Sequence, residues 1–264
     1  MRINGSVVVR SIVNFIRSFI HPPIEGVVLG LSGGIDSTVT FYLCVRALKS
    51  HRILALIMPD SEVTPSEDTD DAIAIAENFN VKYHVIDINP IVKVFSRRLP
   101  NFSFEANVPC GNLRARIRMC ILYYYANLEN RLVVGTGDKS ELLIGYFTKY
   151  GDGGVDILPL GDLYKTQVRM LGRYLNVPGN ILRKPSSPRL WKDHLAEEEL
   201  GVTYDVLDPI LHLLVDEKLS EVEISEKLKF SLDLVLRVKS MVERSQHKRK
   251  LPPIAYLPHE AFAY

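Results

Sequence analysis

Apolar and polar positions along the chain follow two periods. The runs "GVVLGLS" (26–32), "RILALIMP" (52–59) and "VKYHVIDI" (81–88) are short and apolar, and they predict buried parallel strands. Between them, "IDSTVTFYLCVRAL" (35–48) and "SEDTDDAIAIAENF" (66–79) carry helical spacing, which makes a βαβαβ unit. Next come a long apolar helix at "GNLRARIRMCILYYYANLEN" (111–130), a fourth strand at "RLVVGTG" (131–137) and a short helix at "DKSELLIGYF" (138–147). "LYKTQVRMLGRYLNVP" (163–178) predicts a helix ending before Pro178, and from about Tyr204 to Arg249 the pattern is helical throughout. Residues 1–23 also show helical spacing, interrupted by Arg10 and Arg17. This alternation predicts an α/β fold, a doubly wound parallel sheet with helices on both faces and a helical C-terminal region. Its ligand crevice lies at the carboxyl ends of the strands.

Composition narrows the classes. With 264 residues and 47% hydrophobic content, the chain suits one large domain over 1–264. A net charge of +1 gives no global basic field for nucleic acid and no acidic solvating tail. Cys44, Cys110 and Cys120 are odd in number and form no C-x-x-C pair, so three reduced, mostly packed thiols are expected rather than a disulfide framework or zinc ribbon. The N-terminus fits neither a signal peptide nor a membrane span, and a cytoplasmic chain with no membrane partner is expected. "RKPSSPRL" and "KLPPIAYLPHEAF" read as a surface loop and a terminal tail.

At the end of the first strand stands "GLSGGIDST" (30–38). Gly30, Gly33 and Gly34 allow a sharp turn, and the Ser32 and Ser37 hydroxyls and the N–H groups of the following helix point at an anion, which makes a phosphate cradle. The lysine of a Walker A loop is missing. A carboxylate at Asp36 beside phosphate is repulsive unless a cation joins the two, so Asp36 is either a magnesium ligand or a helix N-terminal charge favoured by the dipole.

"SGGIDS" resembles the PP-loop of ATP pyrophosphatases, which hold the leaving pyrophosphate and react at the α-phosphorus. Several families share that loop. "RARIRM" (114–119), "VVGTGDKSE" (133–141), "GYFTKYGDGGVDILPLGDLYKTQV" (145–168), "KPSSPRLW" (184–191) and "HKR" (247–249) closely resemble ammonia-dependent NAD+ synthetase, in the family's order. The resemblance implies an adenine nucleotide alpha hydrolase-like fold and an enzyme that adenylates the nicotinate carboxylate of deamido-NAD+. Ammonia then displaces AMP. It implies ATP as co-substrate, Mg2+ as cofactor and a homodimer, for which the apolar "CILYYYANL" helix is suited.

By the same resemblance the ATP-binding set is Gly30, Leu31, Ser32, Gly33, Gly34, Ile35, Asp36, Ser37, Met58, Thr136, Lys165 and Ser187. Glu141 would complete the metal site with Asp36, and Arg116, Lys149, Asp156, His247 and Lys248 would contact deamido-NAD+. Each also has a plain structural reading. Glu141 can be a helix first-turn acid, Met58 a core side chain, Lys165 a solvated surface lysine, and His247 and Lys248 a basic helix end. Arg116 shares its side of the long helix with Cys120, Tyr123 and Tyr124, an apolar setting in which arginine wants an anionic partner, while Arg114 and Arg118 suit intramolecular ion pairs. "TKYGDGGVD" reads as a flexible ligand-contacting loop, in which Asp152 is a further candidate. No catalytic nucleophile stands out.

Two rival readings remain. "SEVEISEKLKFSLDLVLRVKSMVERSQHKRK" has the cadence of a helix-turn-helix that could read DNA, although only its last segment is strongly basic. A different PP-loop activity, such as tRNA thiolation, lacks its paired zinc cysteines here. Glutamine-dependent relatives carry a separate amidase domain, and motifs running from residue 30 to beyond 245 leave no room for one, so free ammonia is the expected nitrogen source.

Overall fold

The structure is a computed structural model that describes residues 1–262. In chain order the elements are α1 (Gly5–Ser18), β1 (Gly26–Gly30), α2 (Ile35–Ala47), β2 (Ile53–Ile57), α3 (Ser66–Asn78), β3 (Lys82–Val85), α4 (Asn89–Arg98), α5 (Asn107–Leu128), β4 (Arg131–Val134), α6 (Lys139–Ile144), α7 (Lys165–Tyr174), α8 (Gly179–Arg183), α9 (Ala196–Leu200), α10 (Tyr204–Leu211), α11 (Glu221–Leu228) and α12 (Leu232–Arg244).

The four strands run parallel in the order β3-β2-β1-β4, and a single bridge from Val134 to Ile157 extends the sheet past β4. Their apolar residues divide by the two-residue period of a strand. Val27, Leu29, Ile53, Ala55 and Ile57 face a core shared with α1, α2 and α7, whereas Val28, Leu54, Leu56 and Val133 face α4 and α5. Both faces are therefore covered, as the continuous apolar runs predict. The chain winds outward through β2 and β3 and then returns to the other side of β1 with β4. The switch point lies between β1 and β4, where the glycine loop emerges.

A separate apolar cluster holds the C-terminal helices around Tyr204, Leu207, Ile210, Val235 and Val238, and Ile144 of α6 joins it. This region is helical but not continuous. Ser220 and Ser231 act as N-caps, accepting bonds from the N–H groups of Glu223 and Leu234, and Lys229 takes a left-handed conformation at φ 56° that ends α11. Apolar periodicity cannot register such local breaks. The apolar faces of α11 and α12 are spent on this cluster, as ordinary helical packing requires. α4 was not expected from the pattern, and α5 begins four residues earlier than expected. Cys110 therefore lies inside α5, where its Sγ donates to the Ser103 carbonyl. Cys44 and Cys110 are buried, but Cys120 is exposed because its side of α5 carries no packing helix. No described helix is long and apolar enough to cross a membrane.

Candidate active site

The loop after β1 is built on one obligatory glycine. Gly33 has φ +75°, and a Cβ there would stand 2.2 Å from the Asp68 carbonyl oxygen at the start of α3. Inside the loop, Ser32 N–H donates to Ser37 Oγ at 3.1 Å and Ser37 Oγ donates to the Gly34 carbonyl at 3.1 Å. Ser37 therefore shapes the cradle from within instead of offering a free hydroxyl. No side chain among the described residues caps α2, so its first N–H groups are left for a ligand.

A cavity of about 280 Å³ opens at the carboxyl ends of β1, β2 and β4. Gly30, Leu31, Ser32, Gly34, Ile35, Asp36, Ser37, Met58, Thr136, Glu141 and Ser187 all line it. Gly33 and Lys165 are buried behind its wall. Met58 serves both readings, since it is buried against the α5-side core and also faces the cavity, and its carbonyl accepts from Arg118 Nε at 2.9 Å.

Behind the loop lies a cluster of charge. Lys165, the first residue of α7, is completely buried, which overturns its reading as a solvated lysine. Its Nζ is 2.7 Å from Asp36 Oδ2, 2.7 Å from Glu141 Oε1 and 2.9 Å from Asp138 Oδ2. Asp138 caps α6 by accepting from the Glu141 N–H at 2.9 Å, and Glu141 Oε2 returns to accept from the Asp138 N–H at 3.3 Å. Burial alone would push the lysine's pKa down, but the carboxylates of Asp138, Asp36 and Glu141 hold it well above the ordinary value. Burial and the neighbouring acids push Glu141 well up, and burial pushes Asp138 to about 6 even with the ammonium beside it.

Asp36 and Glu141 both line the cavity, and their carboxylates converge on the Lys165 ammonium just behind its wall, close enough together to share one cation. Asp36 Oδ1 is buried with no hydrogen-bond partner among the described residues, so one hard oxygen donor is free. Among the described residues no group of three or more His, Cys, Asp or Glu side chains could hold a metal by itself. The donors fit Mg2+ where phosphate oxygens supply the remaining ligands.

The sequence model of NAD synthase matches residues 8–252. The chain belongs to the NAD synthase family. It is 51% identical over 250 residues to the NH(3)-dependent NAD(+) synthetase of Staphylothermus marinus, covering 94% of this chain and 90% of that protein. Among solved structures it resembles the NMN synthetase from Francisella tularensis, at 38% identity and TM-score 0.82 over 98% of this chain and 100% of that one. It also resembles the NH3-dependent NAD synthetase from Campylobacter jejuni, solved with a nitrate ion, at 32% identity and TM-score 0.80 over 96% and 100%.

None of the residues that the NAD synthase resemblance assigns to the dinucleotide lines the 280 Å³ cavity. Arg116 Nη2 donates to the Lys149 carbonyl at 3.3 Å, and Lys149 Nζ donates to the His247 carbonyl at 3.0 Å, so three of the five sit side by side. Arg116 is exposed, as are Cys120 and Tyr124, and its setting is not the apolar one the helix pattern suggests. Lys248 is not a solvated helix end, because its Nζ donates to the Gly145 and Phe147 carbonyls at 2.7 Å each. Asp156 accepts from the Val133 N–H at 2.7 Å and from Tyr123 Oη at 3.1 Å, which braces the 145–156 loop against β4. Burial and the adjacent carboxylate push the Tyr123 phenol up to about 12. The loop is more ordered than its composition suggests, since Asp152 accepts from the Thr148 N–H at 2.8 Å and Gly151 N–H donates to the Thr148 carbonyl at 2.9 Å.

Several contacts in and around the cavity escape sequence reasoning. Arg114 pairs with buried Asp60 at 2.6 Å, as expected of it, but Arg118 makes a carbonyl bond to Met58 and not an ion pair. Burial brings the Arg118 guanidinium down to about 10. The Pro-rich segment is strapped across the cavity. Lys184 Nζ lies 2.7 Å from Asp68 Oδ1, 2.6 Å from Asp71 Oδ2 and 3.3 Å from the Gly33 carbonyl, while Arg189 Nε reaches Asp68 Oδ2 at 2.9 Å. Ser187 Oγ donates to the His194 carbonyl and accepts from the Arg189 N–H at 3.2 Å, so its hydroxyl shapes the strap. The acidic run "SEDTDD" carries the only sequence signal, and it reads equally well as a helix N-terminal charge.

Proposed function

We propose that this chain is an NAD+ synthetase that uses free ammonia. The nicotinate carboxylate of deamido-NAD+ attacks the α-phosphorus of ATP, pyrophosphate leaves, and ammonia then attacks the acyl-adenylate carbon with departure of AMP, giving the amide. The observation that carries this reading is the convergence of the glycine loop, the uncapped start of α2 and the Asp36–Glu141–Lys165 cluster on one cavity, in a chain about half identical to ammonia-dependent relatives. Residues 30–37, with Met58, Thr136, Lys165 and Ser187, form the ATP side. The buried N–H donors and the cationic Lys165 stabilise charge on the pyrophosphate as it leaves, and the strap over the cavity excludes water from the acyl-adenylate.

Mg2+ would be held by Asp36 and Glu141, and it would supply charge neutralisation at the phosphates. Arg116, Lys149, Asp156, His247 and Lys248 form the dinucleotide side. A cytoplasmic homodimer completes the reading, with one synthetase domain over 1–264, of which residues 263 and 264 lie outside the described residues. Exposed Ile91, Val94 and Phe95 of α4 and Val108, Tyr124 and Leu128 of α5 support a second copy packed on that side.

A second substrate reading rests on the likeness to the Francisella NMN synthetase, which exceeds that to the Campylobacter NAD synthetase in both identity and TM-score. In that reading the acid is nicotinate mononucleotide. One experiment separates the two: purified protein with ATP, Mg2+ and ammonium is given each acid in turn, and AMP, pyrophosphate and amide are measured. We expect deamido-NAD+ to be the better substrate by kcat/KM, and glutamine free of ammonia to fail as nitrogen donor. ADP and phosphate as products would refute the α-phosphorus chemistry, and preference for the mononucleotide would transfer the assignment.

A further inference from the structure

The Lys165 ammonium stands at the place a divalent cation would have to approach. Its Nζ donates to Asp36 Oδ2 and Glu141 Oε1 at 2.7 Å each and lies 2.9 Å from Asp138 Oδ2, and the side chain is completely buried. Two of those oxygens belong to Asp36 and Glu141, the pair on the cavity wall. Both Glu141 oxygens are already engaged, Oε1 by the ammonium and Oε2 by the Asp138 N–H. Asp36 keeps only Oδ1 free.

A bare divalent ion entering this site would therefore meet two carboxylates already engaged by a fixed positive charge, with the unpartnered Asp36 Oδ1 itself buried. No three-carboxylate cage among the described residues could outbid that repulsion. A triphosphate changes the balance. It brings several oxygens of its own, and it offers the ammonium a second anionic partner on the same wall.

We propose that Lys165 is a built-in counter-ion that closes the Asp36–Glu141 pair to divalent cations until ATP arrives, so that metal and nucleotide load together. This rests on the reading of Asp36 and Glu141 as cation ligands. In the nucleotide-free protein the ammonium cancels repulsion between carboxylates that would otherwise crowd one buried point. When the triphosphate enters, the ammonium turns from Glu141 toward the phosphates and the freed carboxylate oxygen takes the metal. The fully buried Asp138 carboxylate, 2.9 Å from the amine, attracts it throughout and keeps Lys165 close to both partners.

The probe is Mn2+, followed by the loss of its free-ion electron paramagnetic resonance signal, with α,β-methylene-ATP as unreactive nucleotide. The wild-type protein should bind Mn2+ at least about tenfold more weakly without the nucleotide than with it. Lys165→Met or Lys165→Gln should bind Mn2+ without nucleotide at least about tenfold more tightly than wild type. Equal nucleotide-free affinity in wild type and the Lys165 variants, with Asp36→Asn and Glu141→Gln still losing the nucleotide-dependent Mn2+, would overturn the counter-ion role and leave the metal assignment standing. If Asp36→Asn and Glu141→Gln bind Mn2+ with nucleotide as wild type does, the metal assignment falls and the counter-ion role falls with it. Should neither Lys165 variant fold, the wild-type protein still decides the matter. With 15N-labelled lysine, the slowly exchanging buried ammonium resonance should ignore Mg2+ alone and shift once the nucleotide is present with it. A shift with Mg2+ alone overturns the proposal.

Discussion

Gly33 and Gly34 are neighbours in one loop, and the structure gives them opposite tolerances for a methyl group. At Gly33 φ is +75°, and an added Cβ meets the backbone carbonyl of Asp68 at 2.2 Å. At Gly34 φ is −89°, and the nearest atom to an added Cβ is Ser32 Oγ at 3.4 Å, an ordinary contact. The left-handed conformation costs a Cβ-bearing residue about 1–2 kcal/mol, and reduced freedom of the unfolded chain returns about 0.4–1 kcal/mol. The contact with Asp68 involves main chain, so no side-chain rotation relieves it. Forcing α3 away from the loop adds about 1–3 kcal/mol, the usual cost of overpacking. Gly33→Ala should therefore lose roughly 1.5–4 kcal/mol of stability in total, which corresponds to a fall in Tm of about 3–15 °C for a domain of this size. Asp68 also holds Lys184 and Arg189 of the strap, so ATP affinity should fall as well. Gly34→Ala should stay within about 0.5 kcal/mol of wild type, as for a substitution that meets no obstacle. Urea unfolding of the three proteins, with pyrophosphate release measured against ATP concentration, makes the comparison. Equal destabilisation by the two substitutions would refute the close approach of Asp68 to the loop.

Other consequences can be measured directly. Arg116→Ala and Lys149→Ala should raise KM for the dinucleotide at least about tenfold, the scale of one lost charged hydrogen bond, and leave KM for ATP within about twofold, because both lie outside the nucleotide cavity; calorimetry showing equal loss of ATP affinity would move them to the ATP side. Asp60→Asn breaks the buried pair with Arg114 and should cost about 3–5 kcal/mol at neutral pH. Burial pushes the Asp60 carboxyl up, but hydrogen bonds from Arg114 and Asn89 outweigh it and hold the pKa below the ordinary value. A depressed folded pKa gives stability that is complete above the unfolded pKa of about 3.9 and is lost as pH falls through the folded value. The gap between wild type and Asp60→Asn should therefore be constant near neutrality and shrink below about pH 4, and urea midpoints as far apart at pH 3 as at pH 6 would count against the paired assignment.

The strand–helix alternation, the carboxyl-end crevice and the glycine loop are legible in the chain, because each follows from local order. A two-residue or 3.6-residue period fixes an element, and a parallel sheet fixes the side from which loops emerge. The NAD synthase motifs can be read in the same way, since they are runs of adjacent residues. Lys165 could be assigned to ATP by its motif, but nothing adjacent to it reveals that it is buried among Asp36, Asp138 and Glu141, residues up to 129 positions away. The strap from Lys184 to Asp68, the brace from Asp156 to Val133 and the carbonyl bonds of Lys248 were equally hidden. A charged residue on a helix or loop carries the same local signal whether it faces water or a buried partner. That choice is made only when distant elements pack, because only then does burial charge for every unpaired polar group and select the one partner within reach.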